Sequence, residues 1–171
     1  MPECARVRGP GTVGMLAEEL GQVLRSKGLT LSTAESCTGG KMGDMITAVP
    51  GSSDYYLGGV ISYSDDAKAS ILSVDPELIV SRGAVSDEVA VQMARGCMER
   101  FSSDVAISTT GIAGPTGGTP TKPVGLVFIC VCSDKASVCT RNLFIGDRED
   151  VRVQSTEAAL RMTLEFVCAH H

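Results

Sequence analysis

The sequence predicts a three-layer α/β/α sandwich built on a mixed, mostly parallel sheet. Three observations predict it. Strand-like and helix-like patterns alternate along the chain, which places helices on both faces of a sheet. Residues 124–132 form a nearly continuous apolar run, as in a strand covered on both faces. A second strand-like run, 138–145, follows after only a short Ser-Asp-Lys turn, so those two strands are antiparallel. The chain has 171 residues, 43% of them hydrophobic, which suits one domain with one proper core. Trp is absent and aromatic residues make up 4%, so that core is aliphatic. Residues 1–171 are read as a single domain, with 1–11 as a flexible N-terminal tail.

The elements follow in order. Residues 14–27 carry Leu16, Leu20, Val23 and Leu24 at helical spacing, and Gly28 supplies a stop. A short strand at 30–34 leads into the polar turn 35–40, then a short helix at 41–49 closed by Pro50-Gly51. A second strand covers 57–63. Ser64 caps a helix over 65–72, and Asp75 with Pro76 opens another short helical segment. Ser86 caps a longer helix, 87–101, with Val89, Met93 and Cys97 on one face. A strand at 105–108 precedes a loop rich in Gly, Pro and Thr, 110–123. The strand pair 124–132 and 138–145 comes next, and Asp147 caps a final helix, 148–168.

Composition narrows the function. Fifteen Lys and Arg against 20 Asp and Glu give a net charge of −5, with no basic run, which argues against nucleic acid as a partner. No apolar stretch is long enough to span a membrane. Arg6 and Arg8 stand near the N-terminus without an apolar signal core, so a cytoplasmic location is expected, with organelle targeting left open. The seven cysteines include no C-x-x-C pair and read as reduced core thiols. The two histidines, His170 and His171, end the chain and read as frayed tail, so no metal site is expected.

In open α/β sheets, ligands bind beyond the carboxyl ends of the strands. Segments 35–40, 64–68 and 110–118 each follow a strand, and Gly51-Ser52-Ser53 is a fourth candidate for the same rim. Ser36 sits between a strand end and a helix start, where its hydroxyl is exposed and nearby N–H groups can receive an oxyanion. Gly39-Gly40 would let a substrate approach the backbone. Helix capping by Ser36 or Thr38 stays open as the alternative. A nucleophilic serine needs a base, and without a usable histidine the candidate is a lysine kept neutral by burial. Lys68 is favoured, because one helical turn brings it back towards the strand end at Tyr63. A solvated Lys68 paired with Ser64 or Asp65 is the alternative. Cys37 is a rival nucleophile with no evident His partner. The loop Thr110-Gly111-Ile112-Ala113-Gly114-Pro115-Thr116-Gly117-Gly118 offers backbone donors without being a P-loop, and Arg148 could clamp a phosphate.

Together the runs Thr33-Ala34-Glu35-Ser36-Cys37-Thr38-Gly39-Gly40, Gly51-Ser52-Ser53, Tyr63-Ser64 with Ala67-Lys68, Gly83-Ala84-Val85-Ser86, Gly111-Ile112-Ala113-Gly114-Pro115 with Gly117-Gly118, Lys122-Pro123-Val124-Gly125 and Gly146-Asp147-Arg148 resemble the CinA C-terminal domain family, which includes nicotinamide-nucleotide amidases. The resemblance runs from about residue 16 to 167. It implies the three-layer fold given above. It also implies hydrolysis of the carboxamide of nicotinamide mononucleotide to nicotinate mononucleotide and ammonia, with no metal and no cofactor. Carried over, Ser36 is the nucleophile, Lys68 the base and Tyr63 a helper in proton transfer or positioning. Thr110 and Gly111 would lie near the reacting centre, and Ser52 or Ser53 together with Arg148 near the phosphate. Thr33, Glu35, Thr38, Gly39, Ala113 and Gly114 complete the expected substrate-binding set. The family's habit of association implies a homo-oligomer, a dimer or higher. The family's stand-alone amidases are the members that this chain resembles.

Two positions depart from the family pattern. Asp65 stands where Asn is usual, and a carboxylate there raises the pKa of a nearby lysine. Ser73 stands where Gly is frequent, a local backbone change. Two other readings accompany the amidase: a nucleotide-binding module without turnover, and an amidase acting on another small amide.

Overall fold

A computed structural model describes residues 13–170. The expected tail, 1–11, and His171 lie outside the described residues. Five strands form one sheet in the order β2-β1-β3-β4-β5. They are β1 (Leu31–Glu35), β2 (Tyr56–Ile61), β3 (Val105–Gly111), β4 (Leu126–Cys132) and β5 (Ser137–Leu143). β1 pairs in parallel with both β2 and β3, whereas β4 is antiparallel to β3 and β5. Four strands therefore share one direction and β4 alone opposes them. The mixed, mostly parallel α/β sheet is as the sequence predicts.

The helices are α1 (Val13–Lys27), α2 (Lys41–Thr47), α3 (Asp65–Leu72), α4 (Pro76–Arg82), α5 (Asp87–Phe101) and α6 (Arg148–His170). α1, α2 and α6 enclose one apolar cluster with Leu31, Ile107, Val127, Ile129 and Val131 of the sheet. α3, α4 and α5 enclose the other, against Ala34, Ala106, Cys130 and Cys132. The alternation of side chains along each strand assigns odd and even positions to opposite layers, which makes the three-layer arrangement. Each fully buried Leu or Ile contributes about 1.5–3 kcal/mol to holding it together.

Capping residues fix several helix starts. Ser64 Oγ accepts the Ala67 N–H at 3.1 Å, Asp75 Oδ1 accepts that of Glu77 at 2.9 Å, and Ser86 Oγ accepts that of Val89 at 3.4 Å. At α6, Asp147 and Asp150 cap reciprocally: each carboxylate accepts the other residue's N–H at 2.9 Å. Ser73 takes the left-handed conformation at the end of α3, with φ 57°, where a glycine would be unstrained.

Some boundaries differ from expectation. β3 continues through Gly111, because Thr110 and Gly111 pair with Phe128 and Val127 of β4. Sheet pairing here overrides a local Thr-Gly signal for loop. β2 ends two residues earlier than expected, at Ile61. Ser52–Asp54 forms a short 3-10 turn. His170 belongs to the last turn of α6, its ring 4.6 Å from that of Phe166, so it is not frayed. Cys37, Cys97, Cys130, Cys132 and Cys139 are free thiols, whereas Cys168 is disulfide-bonded, which departs from the expected set of reduced thiols. No helix among the described residues is long and apolar enough to cross a membrane.

Candidate active site

The parallel strands β1 and β3 deliver their carboxyl ends to one rim, and Ser36 is the first residue beyond β1. Its N–H donates to the Thr109 carbonyl at 3.0 Å, which ties the turn to β3. The turn is tight: Gly39 and Gly40 have φ of 59° and 99°, conformations that favour glycine. Glu35 locks it from behind. One carboxylate oxygen accepts the Thr38 hydroxyl at 2.7 Å and the N–H groups of Gly40 at 2.9 Å and Met42 at 3.1 Å. The other accepts the Gly43 N–H at 2.9 Å. The buried charge thus satisfies the free N–H groups at the start of α2, where the helix dipole also favours an anion.

Lys68 approaches from the opposite side. After β2, the Ser62 N–H bonds the Glu35 carbonyl at 2.8 Å, and α3 then begins. One turn into α3, Lys68 points back under the strand end, only 2% exposed. Its Nζ donates to Ser36 Oγ at 3.0 Å, to the Ser62 carbonyl at 2.9 Å and to the Tyr63 carbonyl at 3.3 Å. The pKa of Lys68 is lowered from the usual lysine value, chiefly because burial penalises the ammonium. Asp65 acts the other way, by charge. Burial pushes the Cys37 thiol up to about 12, so it is no thiolate near neutral pH and does not rival Ser36.

Ser36 and Lys68 open on a cavity of about 260 Å³. Asp65, Tyr63 and Arg148 line its mouth; Ala84, Val85 and the run 110–114 with Thr116 and Gly117 line the rest. The Thr110 hydroxyl donates to the Ala84 carbonyl at 2.8 Å, joining β3 to the segment before α5. Arg148, at the start of α6, donates to the Gly114 carbonyl at 2.8 Å and to the Tyr63 hydroxyl at 2.9 Å. A shallow cavity of about 420 Å³ continues past Arg148 to Glu149 and Arg152. A separate groove of about 360 Å³ lies between β5 and α6, lined by Asn142, Gln154, Glu157 and Arg161 among others. It contains no comparable pairing of nucleophile and base. Among the described residues, no cluster of three His, Cys, Asp or Glu could hold a metal ion.

Of the residues singled out from sequence, the structure brings together Ser36, Lys68, Tyr63, Thr110, Gly111, Ala113, Gly114 and Arg148. It does not bring the others to the cavity. Thr33 is buried within β1 and its hydroxyl bonds that of Tyr56 at 2.7 Å. Glu35 and Thr38 are buried and bonded to each other, with Thr38 also 2.8 Å from the Thr109 hydroxyl. Gly39 shapes the turn, and a Cβ there would meet the Arg152 guanidinium. Ser52 and Ser53 precede β2, whereas the cavity follows the strand ends. They sit at the opposite rim of a sheet about 16–20 Å across. The side chain of Tyr63 turns to Arg148, and it is its carbonyl that meets Lys68. Residues at the cavity that sequence reasoning did not assign to binding include Ala84, Val85, Ile112, Thr116 and Gly117. Their signal was present in the Gly-Ala-Val-Ser run and the glycine-rich loop.

The CinA C-terminal domain model matches residues 14–167. A putative competence-damage inducible protein of Moorella thermoacetica is 49% identical over 140 residues, which are 82% of this chain and 34% of its own length. A CinA-like protein of Trichormus variabilis is 52% identical over 148 residues, 85% of this chain and 36% of its own. The chain spans about a third of the length of these curated relatives. Among solved structures, the competence/damage inducible protein of Agrobacterium tumefaciens is 36% identical with a TM-score of 0.89, covering 91% of this chain and 96% of that one. The competence damage-inducible protein A of Klebsiella pneumoniae is 31% identical with a TM-score of 0.92, covering 94% and 100%. The chain belongs to the CinA C-terminal domain family.

Proposed function

We propose that the chain is an amidohydrolase that converts nicotinamide mononucleotide to nicotinate mononucleotide and ammonia through a serine–lysine dyad. The observation that carries this reading is the 3.0 Å contact between Lys68 Nζ and Ser36 Oγ, made by a buried amine whose other hydrogens rest on two backbone carbonyls. In the neutral amine, those two N–H bonds leave the lone pair facing the serine hydroxyl. Lys68 takes the Ser36 proton as Oγ attacks the amide carbon. Neither the Cys37 nor the Thr38 N–H is taken by a backbone carbonyl among the described residues. In this reading they are the donors offered to the tetrahedral oxyanion. The protonated lysine then protonates the departing nitrogen, and ammonia leaves. Water hydrolyses the acyl-serine, with Lys68 again receiving a proton.

Arg148 supports a phosphorylated substrate. Its guanidinium stands at the cavity mouth and is held in place by Gly114 and Tyr63. Ammonia release from the mononucleotide, compared between wild type and Ser36→Ala, tests the reading; equal rates would remove Ser36 from the chemistry. A panel of amides with and without phosphate separates this substrate from other small amides. One observation favours binding without turnover: Asp65 lines the cavity and its charge favours the ammonium form of Lys68. Calorimetric binding of the mononucleotide with no ammonia released at any pH would establish that second reading.

A further inference from the structure

We propose that Cys130 and Cys139 are a redox-active dithiol which low-molecular-weight disulfides oxidise to a cross-strand disulfide between β4 and β5. The two residues are direct partners in the antiparallel register. The phase of that register can be read from its ends. Phe144 N–H donates to the Gly125 carbonyl at 2.9 Å, and Ser133 N–H to the Ala136 carbonyl at 2.8 Å. Both are hydrogen-bonded pairs, and they stand an even number of steps apart. Strict alternation between them makes Cys130–Cys139 a non-hydrogen-bonded pair. In such pairs the Cα atoms are about 4.5 Å apart and the side chains are closest. Disulfides span Cα separations of about 4.4–6.8 Å, so the bond closes without moving the backbone far.

Burial gives the two thiols different roles. Cys130 is fully buried beneath α5, and Cys139 is partly buried against the same cluster. Cys139 is the sulfur that a reagent reaches, with its Sγ 3.9 Å from the Asp87 carbonyl. Hydrogen bonding from Cys130 lowers the Cys139 pKa, while Asp87 and Glu88 oppose this. The Cys130 thiol is pushed the other way, although Arg95 favours its thiolate. The remaining free thiols differ. Cys37, Cys97 and Cys132 are buried with pKa values raised to about 12, 11 and 11, and Ser137 stands opposite Cys132.

The chemistry balances as two exchanges. Cys139 loses its proton and its thiolate attacks one sulfur of the disulfide reagent. That S–S bond breaks, and the leaving thiolate takes up a proton as one equivalent of thiol. Cys130 then loses its proton and attacks Sγ of Cys139 in the mixed disulfide. The second reagent sulfur leaves and is protonated. Two protein thiols are oxidised by two electrons, and one disulfide is reduced to two thiols. Neither residue lines the Ser36 cavity, so the inference stands apart from the amidase reading.

The test treats the reduced protein with glutathione disulfide and maps its cysteines by mass spectrometry without reduction. Wild type is expected to yield a cross-linked peptide that joins Cys130 to Cys139 and is two hydrogens lighter than its two reduced parts, reversed by dithiothreitol. Cys130→Ser is expected to accumulate a stable mixed disulfide on Cys139. Cys139→Ser is expected to show neither product while Cys130 stays unmodified. Absence of the 130–139 cross-link in wild type, with Cys139 unmodified in Cys130→Ser, overturns the proposal. So does a glutathione adduct on Cys139 that persists in wild type, because Cys130 would then fail to resolve it.

Discussion

Glu35→Gln distinguishes a carboxylate that binds substrate from one that builds the turn beneath the nucleophile. In the wild type one oxygen of Glu35 accepts three donors, from Thr38, Gly40 and Met42, and the other accepts one, from Gly43. A glutamine has one accepting oxygen and one donating nitrogen. Its better orientation keeps the oxygen on the three donors and sets the NH2 against the Gly43 N–H. One hydrogen bond to a charged group is lost, worth about 1.5–3 kcal/mol, and the other three weaken as the charge goes. The expected loss is about 2–4 kcal/mol, and for a chain of this size that lowers Tm by about 5–15 °C. Glu35→Ala removes all four bonds and costs more. Thermal unfolding followed by circular dichroism measures the shift, and ammonia release measures what remains of activity. A turn displaced by a fraction of an ångström lowers kcat and leaves KM close to wild type. A Tm unchanged within about 1 °C, with KM raised, would refute the structural role and restore Glu35 to the substrate site.

Three further outcomes follow from the same geometry. Ser36→Ala and Lys68→Met should each reduce kcat by about 10²–10⁴ or more, and the double variant should be no slower than the worse single one, because the two act as a unit; multiplicative losses in a full kinetic comparison would count against the dyad. The base must be neutral, so the rate should climb as pH rises through the lowered Lys68 pKa. Asp65→Asn removes a charge that raises that pKa, so its rising limb should lie at lower pH than that of wild type; a pH–rate profile with the limb unmoved or displaced upward contradicts this. Arg148→Gln should raise KM about 10- to 100-fold for a phosphorylated amide and little for the same amide without phosphate, the equivalent of one charge-assisted hydrogen bond; equal effects on both would detach Arg148 from the phosphate.

The sequence is most readable where a single side chain dictates the backbone. The bounds of α3 and α5 coincide with expectation because Ser64 and Ser86 close both helices at their starts. β3 runs longer than its composition indicates because Thr110 and Gly111 are strand by virtue of partners on β4, a pairing that local composition does not contain. Ser52 and Ser53 lie away from the expected rim for a related reason: a Gly-Ser-Ser run looks the same before a strand as after one. Thr33 and Glu35 could have been excluded from the site by strand period alone. Side chains alternate along β1, so Ala34 faces the layer of α3 to α5 while Leu31 faces that of α1. Thr33 and Glu35 share the parity of Leu31. Ser36, next after Glu35, shares the parity of Ala34, and that is the side from which α3 returns Lys68.

That geometry also explains how a buried lysine can serve in two protonation states. As an ammonium, Lys68 has three hydrogens and three acceptors: the Ser62 and Tyr63 carbonyls and Ser36 Oγ. As a neutral amine, it keeps the two carbonyls and turns its lone pair to the serine hydroxyl, which becomes the donor. The Lys68 nitrogen keeps a partner in every direction in either state, so proton transfer between Ser36 and Lys68 leaves its bonds to the two carbonyls in place. Burial disfavours the charged form and Asp65 at the cavity mouth favours it. The balance of those two, more than the position of Ser36, governs how much free amine is present to start the reaction.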